Sequence, residues 1–432
     1  MSKVVNIVTL GCSKNKVDSE FLGASLFKHG FAVNHDSEQK SDVVIINTCG
    51  FIGDAKEESV DTILSYARLR KRKKISKLIV MGCLSQRYKK ELQDEIHEVD
   101  EFFGVNDLAK ISEMLASETP SEEMVVCNAN RILSNASHYA YLKISEGCDR
   151  TCSFCAIPLI RGGHVSRSID SLVEEAEMLA QMGVKELVLI AQELTYYGLD
   201  IYKKRSISEL IQRLSDVEGI AWIRLQYAYP HGFPESLMDV IADNPKVCKY
   251  IDLPLQHINS RILRSMNRQV DRDQTSKLVA DLRNKIPGLA FRTTFIVGYP
   301  GETEEEFEEL VEFVKEARFD RMGVFSYSEE EGTAAFSLED TVPHELKQAR
   351  LERLMEIQQN ISLEINVSRI GTTEKVLIDK LEGDFYVGRT QFDSPEVDNE
   401  VLIAADEPLQ IGQFYQVTII DADHFDLYGR IN

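Results

Sequence analysis

The chain has 432 residues, 43% of them hydrophobic and 28% charged, and a net charge of −21. That length allows two or three domains, and that balance is the composition of a globular protein, which excludes collagen-like and disordered classes. No apolar run reaches the length of a membrane span, about 20 residues. The opening "MSKVVNIVTLGC" lacks the apolar core and cleavage site of a secretory signal, so a cytoplasmic protein without a membrane partner is expected. Disulfides are rare there, and the eight cysteines need a metal or catalytic explanation.

Residues 1–118 alternate short apolar strands with helices. "VVNIVTL" reads as a strand, "VDSEFLGASLFKHG" as an amphipathic helix closed by Gly30, and "DVVIINTC" as the next strand. Helix "AKEESVDTILSYARLRKR", strand "KLIVMGC" and a further helix follow, a rhythm that builds a parallel sheet covered on both faces. Ligands of such sheets collect beyond the carboxyl ends of the strands. Cys12, Cys49 and Cys83 all lie at that edge, far apart in sequence but able to meet in space. Arg68, Arg70, Lys71, Arg72, Lys73 and Lys74 crowd one helix end. A solvated terminus favoured by the helix dipole is the simpler account, and an RNA contact is the other.

The polar stretch 119–136 breaks the rhythm and reads as a linker. From Tyr139 new strands appear: "YLKISEGC", "ELVLIAQE", "AWIRLQYAY", "YIDLPLQH", "LAFRTTFIVGYP" and "RMGVFSYS". Helices separate them, two with capping-box patterns at Ser171/Glu174 and Thr303/Glu306. Six such units within 137–366 predict an incomplete (β/α)6 barrel, whose functional groups gather at the C-terminal strand ends. After a long helical pattern, the short strands of 367–432 predict a small all-β barrel. The fold class is therefore α/β, with a parallel sheet domain, a partial barrel and a β module.

The first barrel strand runs into "GCDRTCSFCAIPLIRG", where Cys148, Cys152 and Cys155 form Cys-x3-Cys-x2-Cys on one loop. Structural zinc takes four protein ligands, usually in close pairs. Three thiolates without an evident fourth suit a [4Fe–4S] cluster with one iron left open. Phe154 is placed to cover it with an apolar ring and exclude water. A zinc knuckle and inert buried cysteines remain the alternatives.

This triplet, after the first strand of a partial barrel, resembles the signature of radical S-adenosylmethionine enzymes. The resemblance implies that the open iron binds the amino and carboxylate groups of S-adenosylmethionine, and that an electron then releases a 5′-deoxyadenosyl radical. It also implies that Gln192 and Glu193 of "LIAQE" serve the amino end of that molecule, and that Gly298 and Gly301 of "FIVGYPGET" form the loop near its adenine. A plain strand-to-helix turn is the other reading of the glycines. With Cys12, Cys49 and Cys83 added, the six cysteines are similar to those of the methylthiotransferases within that class. This likeness covers the whole chain, the last part resembling a TRAM domain. It implies two [4Fe–4S] clusters, S-adenosylmethionine as both methyl donor and radical source, a sulfur donor, and a flavodoxin-like or ferredoxin-like electron donor.

One branch of these enzymes modifies an adenosine in tRNA; another modifies the β-carbon of an aspartate in the twelfth protein of the small ribosomal subunit. "GCSKNKVDSE", "DLPLQHIN" and "FSYSEEEGTAA" resemble the ribosomal-protein branch. Charge points the same way. Residues 371–432 hold 13 Asp or Glu against 4 Lys or Arg, a net of −9, which suits a basic protein better than a phosphate backbone. Solubility alone also explains it. An RNA contact is thus secondary, and a non-catalytic iron–sulfur or electron-transfer protein is the reading from another class. Cys127 and Cys248 lack partner spacing and read as ordinary cysteines. His257, Tyr227 and Tyr229 lie at strand ends, where a pocket role and ordinary packing fit equally. "ETEEEFEEL" is acidic because it opens a helix, so no acid–base pair is assigned.

Overall fold

The structure, a computed structural model, describes residues 3–118, 131–134 and 137–432; Cys127 and most of the 119–136 linker lie outside them. The first part runs Val4–Thr9 (β1), Ser13–Lys28 (α1), Ala32–His35 (β2), Val43–Thr48 (β3), Gly53–Lys71 (α2), Lys77–Gly82 (β4), Cys83–Glu95 (α3), Glu101–Phe102 (β5) and Leu108–Glu118 (α4). Its strands form one parallel sheet in the order β2-β1-β3-β4-β5. A sheet buried on both faces needs unbroken apolar strands. Val43, Ile45 and Ile79 accordingly pack with α1 and α4, and Val44, Ile46 and Val80 with α2 and α3. The strand order reverses between β1 and β3, which opens a crevice at their carboxyl ends.

Helix α1 starts four residues ahead of the expected Val17, and its buried residues are not the apolar stripe alone. Lys14, Asn15, Asp18, Ser19 and Glu20 are buried as well: Ser19 accepts from Thr9 and Asn47 of the sheet, Glu20 accepts from Arg131, and Lys14, Asn15 and Asp18 meet Tyr227, Arg161 and Lys143 of the second part. At the end of α2, Arg70 pairs with Asp100 (2.7 Å) and Lys71 with Glu98 (3.2 Å), so part of the basic patch is already neutralised.

The second part comprises Tyr139–Lys143 (β6), Ser145–Glu146 (β7), Ile157–Arg161 (α5), Val165–Ser166 (β8), Ile169–Gln181 (α6), Glu186–Ile190 (β9), Ile207–Ser215 (α7), Trp222–Leu225 (β10), Glu235–Asp243 (α8), Tyr250–Asp252 (β11), Ser260–Ser265 (α9), Arg272–Lys285 (α10), Ala290–Val297 (β12), Glu304–Ala317 (α11), Arg321–Ser326 (β13) and His344–Ser368 (α12). Strands β6, β9 and β10 pair in parallel, as do β11, β12 and β13. The Ile223 amide donates to the Lys246 carbonyl (2.7 Å) and the Cys248 amide to the Ile223 carbonyl (2.9 Å), which joins the halves into a six-stranded arc. The short ribbon β7–β8 flanks the cysteine loop.

Alternate residues Ala140, Leu142, Leu187, Leu189, Ile223 and Leu225 pack outward against the helices in the main core. Thr303 and Glu306 form the expected capping box. The other does not open at Ser171: the helix starts at Ile169 with Ser168 as its cap, because Ile169 and Leu172 are buried together one turn earlier. Cys248 is a core residue beside Trp222, Tyr250 and Leu377.

The last part, Thr373–Glu382 (β14), Phe385–Thr390 (β15), Glu400–Ala404 (β16), Phe414–Ala422 (β17) and Asp426–Ile431 (β18), closes into a barrel in the order β14-β15-β16-β18-β17. Its core holds Val376, Ile378, Val401, Val417 and Leu427. Residues 391–399, between β15 and β16, reach the inner side of the six-stranded arc. There Asp393 accepts from Arg321 (3.0 Å), Asp398 from Arg292 (3.2 Å), Ser394 from Gln226 (2.6 Å), and Glu396 from the hydroxyls of Tyr139 (3.2 Å) and Tyr141 (3.0 Å).

Arg224 is the anchor of this contact. Its guanidinium is fully buried and donates to Glu186 (2.6 Å) and to the carbonyls of Gln391 (2.7 Å) and Thr390 (3.3 Å). Truncation leaves Glu186 to Arg389 alone (2.9 Å), takes the donor from the Gln391 carbonyl, and opens a cavity the size of the side chain. Arg224→Ala is expected to cost about 3–5 kcal/mol of stability. Denaturant titration followed by Trp222, the single tryptophan, checks this, since its ring lies 5.8 Å from that guanidinium.

Candidate active site

Cys12, Cys49 and Cys83 follow β1, β3 and β4, which are neighbours in the sheet. Adjacent strands are about 4.8 Å apart, so three side chains leave the sheet edge side by side. Glycines allow the closeness. A Cβ on Gly11 (φ +88°) would lie 2.7 Å from the Cys49 Cβ and 2.9 Å from its sulfur, and one on Gly50 only 2.6 Å from the Leu84 amide nitrogen. Ser59 fixes the middle cysteine, accepting from the Cys49 amide (3.0 Å) and donating to its carbonyl (2.9 Å). Cys12 is exposed, Cys49 and Cys83 buried. Burial pushes the Cys83 thiol up to about 12 against the opposing pull of Arg161, and burial also raises Cys49.

The second trio sits on the loop between β7 and α5. The Arg150 amide donates to the Cys148 sulfur (3.4 Å), Arg268 Nη1 donates to the Cys152 sulfur (3.5 Å), and the Tyr229 hydroxyl lies 3.7 Å from that same sulfur. The loop is tied down by the Ser153 amide on the Met266 carbonyl (3.0 Å) and by Asn267 on Thr151 (2.7 Å). Burial raises Cys148 to about 11 and Cys155 to about 12. Donors aimed at sulfur are the surroundings a metal-bound thiolate needs, and a bound metal deprotonates such thiols outright. Among the described residues no group of three His, Cys, Asp or Glu side chains is arranged round a single ion. Cys148, Cys152 and Cys155 on one loop are a donor set that fits a group spreading its thiolates over several metal atoms.

The other expected residues are placed as follows. Gln192 donates to Glu146 (2.7 Å); Glu193 pairs with Arg150 (3.0 Å) and accepts from Thr195. Phe154 packs against Ile262, Met266, Tyr299, Tyr327 and Ala335. The Gly298 amide donates to Glu302 (2.9 Å), and the Gly301 carbonyl accepts from Arg261 (2.7 Å). Both glycines have positive φ, +70° and +74°. His257 is buried; its Nδ1 accepts from the Asn259 amide (3.0 Å), the expected local bond, and its Nε2 lies 3.8 Å from Glu302. A separate groove of about 830 Å³ between α8 and α10, lined by Met238, Leu278 and Lys285 among others, contains none of the cysteines.

What joins the trios is a buried ionic wall. Arg161, at the end of the helix that begins just after Cys155, donates to Asp18 (3.1 Å), Glu146 (3.0 Å) and Asn15 (2.6 Å). The Asn15 oxygen in turn faces the Cys83 sulfur at 3.7 Å. Lys143 bonds the same two carboxylates, Asp18 and Glu146. Burial opposes ionisation of Glu146, but Lys143 and Arg161 hold its pKa down to about 2. Tyr227 and Tyr229, two residues apart after β10, complete the wall. Lys14 Nζ stands 3.0 Å above the Tyr227 ring, while Tyr229 lies under Arg150 (4.1 Å) and Arg268 (4.2 Å). Sequence reasoning left out Lys14, Asn15, Arg150, Arg161 and Arg268. One signal was available: Lys14 and Asp18 recur at the i, i+4 spacing of a single helix face, directly after a candidate ligand.

An incomplete parallel barrel with a Cys-x3-Cys-x2-Cys loop at its first strand end defines a radical S-adenosylmethionine enzyme. The family comparisons agree. Residues 142–314 match the Radical SAM superfamily, 4–104 the Uncharacterized protein family UPF0004, and 370–431 the TRAM domain. The chain resembles proteins named ribosomal protein uS12 methylthiotransferase RimO: 54% identity to that of Bacteroides thetaiotaomicron (99% of this chain, 98% of the relative), 54% to that of Cytophaga hutchinsonii (99% and 97%), and 53% to that of Flavobacterium psychrophilum (99% and 97%). Among solved structures, the radical S-adenosylmethionine methyltransferase TsrM from Kitasatospora setae aligns with a TM-score of 0.54 at 15% identity, covering 90% of this chain and 81% of that one. The cobalamin-dependent radical enzyme OxsB aligns at 0.52 and 13%, covering 83% and 56%. Those two likenesses concern the fold alone. The chain belongs to the RimO family of radical S-adenosylmethionine methylthiotransferases.

The close packing of the first trio is open to test without metal. Gly11→Ala combines a left-handed φ with a Cβ pressed on Cys49, a strain of about 1–3 kcal/mol or more. The melting temperature should fall, and Cys49, 8% exposed in the structure, should react faster with a thiol reagent in the metal-free protein. Unchanged labelling would mean that Gly11 does not set the position of Cys49.

Proposed function

We propose that this chain methylthiolates the β-carbon of an aspartate in ribosomal protein uS12, in the cytoplasm, with S-adenosylmethionine as methyl donor and radical source. Three domains share the work in this reading: 1–118, 137–366 and 367–432. Cys148, Cys152 and Cys155 would hold one [4Fe–4S] cluster, and Cys12, Cys49 and Cys83 a second. When bound, the two groups supply reductive cleavage of S-adenosylmethionine and sulfur for transfer, fed by an external sulfur donor and a flavodoxin-like or ferredoxin-like reductant. The observation that carries the reading is the shared wall, Arg161 running from the loop of one trio to the residue facing the other.

The chain's own residues have definable roles in it. The Arg150 backbone amide keeps a donor on Cys148, and the Arg268 guanidinium keeps a cationic donor on Cys152. Gln192 and Glu193 would receive the amino end of S-adenosylmethionine, with Glu193 held in place by Arg150. Gly298 and Gly301 would let backbone approach the adenine, with Glu302 fixing the Gly298 amide. Phe154 would keep water from the cysteine loop. The named relatives and the acidic last module support a basic protein substrate over tRNA, and the partly neutralised basic patch on α2 leaves RNA contact secondary.

Mass spectrometry of uS12 from cells lacking this chain should show an aspartate without its methylthio group; an unchanged modification overturns the assignment. Loss of methylthioadenosine from the tRNA of those cells would favour the tRNA branch instead. Cys152→Ala should abolish both 5′-deoxyadenosine formation and methylthiolation, whereas Cys49→Ala should abolish methylthiolation and spare 5′-deoxyadenosine. Chromatographic quantification of both products after anaerobic reconstitution checks that division.

A further inference from the structure

Lysine is among the residues least often buried without a partner, because an ammonium removed from water needs an anion. Lys14 is 7% exposed, yet among the described residues its ammonium forms no ion pair and no hydrogen bond; the tip of its side chain rests on the face of Tyr227. The titratable side chains around it are Cys12, Arg161, Asp252 and Glu146. Each carboxylate of this wall is committed elsewhere. Glu146 is bonded to Lys143 and Arg161, Asp18 to the same two cations, and Asp252 to Arg292 (3.2 Å). Lys14 is therefore left as an uncommitted cation at the crevice of the first sheet, two residues from Cys12. Through Tyr227 it adjoins the strand end whose Tyr229 meets Cys152.

We infer that Lys14 binds the side-chain carboxylate of the substrate aspartate and so selects an acidic residue for modification. The inference rests on the ribosomal-protein reading above. A carboxylate is the anion that matches a single ammonium in a partly dry site, and it is attached directly to the carbon to be functionalised. An ammonium holding it would fix the β-carbon within the space between the trios. Tyr227 is built to support that ammonium. Its φ of +65° is unusual for a bulky residue, and its amide is anchored on Asp252 (3.1 Å), so the ring is held as a platform beneath the charge. Lys14 is a substrate-binding residue in this account, separate from the cysteines.

The test measures anaerobic binding to the reconstituted full-length protein. The probes are a fluorescent uS12 peptide containing the modified aspartate and the same peptide with asparagine there. Wild type should bind the aspartate peptide more tightly by about 10-fold to 100-fold, the worth of a hydrogen-bonded charge pair. Lys14→Met should erase that preference by weakening the aspartate peptide alone, and Lys14→Arg should restore much of it. If wild type binds both peptides equally, the inference is overturned without recourse to any variant. If Lys14→Met keeps the preference, Lys14 is only a counter-charge to the neighbouring cysteines, and the inference fails while the ribosomal-protein reading stands. If wild type binds neither peptide, that reading itself fails, and the inference with it.

Discussion

A guanidinium taken out of water is tolerable only where carboxylates are brought to meet it, and Arg161 meets two. Asp18 comes from the first sheet domain and Glu146 from the barrel's own first loop, so the pairing cannot form unless the two parts dock in one register. Lys143 doubles the same requirement from β6. A hydrophobic interface would tolerate sliding at small cost; a buried ionic one does not, because each displaced charge is left unpaired in a low-dielectric wall. Glu330 repeats the pattern on the other flank, accepting from Arg87 (2.6 Å) and Lys56 (3.0 Å) of the sheet domain. Arg131 repeats it a third time, joining Glu20 of α1 to Glu175 of α6 (2.7 Å). The position of one cysteine trio relative to the other is thus set by these ion pairs together with apolar contacts, Val17 against Tyr139, Tyr141, Val188 and Ile190, and Cys83 and Val105 against Ala156 and Ile160.

Within the sheet domain the controlling factor is different: space. Three parallel strands can deliver three cysteines to one edge only if the connecting backbone clears its neighbours. Gly11 and Gly82 precede Cys12 and Cys83, and Gly50 follows Cys49. At Gly82 (φ +99°) a Cβ would stand 2.6 Å from the Thr48 carbonyl oxygen and 2.7 Å from its amide nitrogen. The glycines and the cysteines therefore form one device, the first making room for the second.

Much of this was legible in the chain. The strand and helix order follows from unbroken apolar strands and helical periodicity, and all five strands of the last barrel fall on short β-branched and aromatic runs. The convergence of Cys12, Cys49 and Cys83 follows from parallel-sheet geometry once three strands are seen to end alike. What stayed hidden were polar residues whose burial depends on tertiary contact. Lys14, Asn15 and Asp18 look like the solvated start of a helix, so the apolar pattern placed that start at Val17, whereas burial against the barrel extends it to Ser13. Ser171 looked like a cap because a Glu lies three residues on; Ser168 won because the buried pair Ile169 and Leu172 fixed the first turn earlier. Tyr227 and Tyr229 were ambiguous for a related reason: an aromatic at a strand end packs on apolar or cationic neighbours equally well, and only the fold supplies Lys14, Arg150 and Arg268.

The acidity of the last module needs a corresponding revision. Its net charge of −9 counts Asp393 and Asp398, yet these two are turned into the barrel, where they pair with Arg321 and Arg292. They cannot attract a partner from solution. Asp384, Asp406, Glu407 and Asp421 carry no such partner among the ion pairs of the described residues, so an acidic surface persists but is smaller than composition implies. Long-range attraction of a basic protein survives that discount, because steering depends on summed surface charge. Selection of one side chain does not follow from it. A diffuse acidic surface draws basic proteins without distinguishing one residue from its neighbours, and an interior cation such as Lys14 supplies the local complement that such a surface cannot.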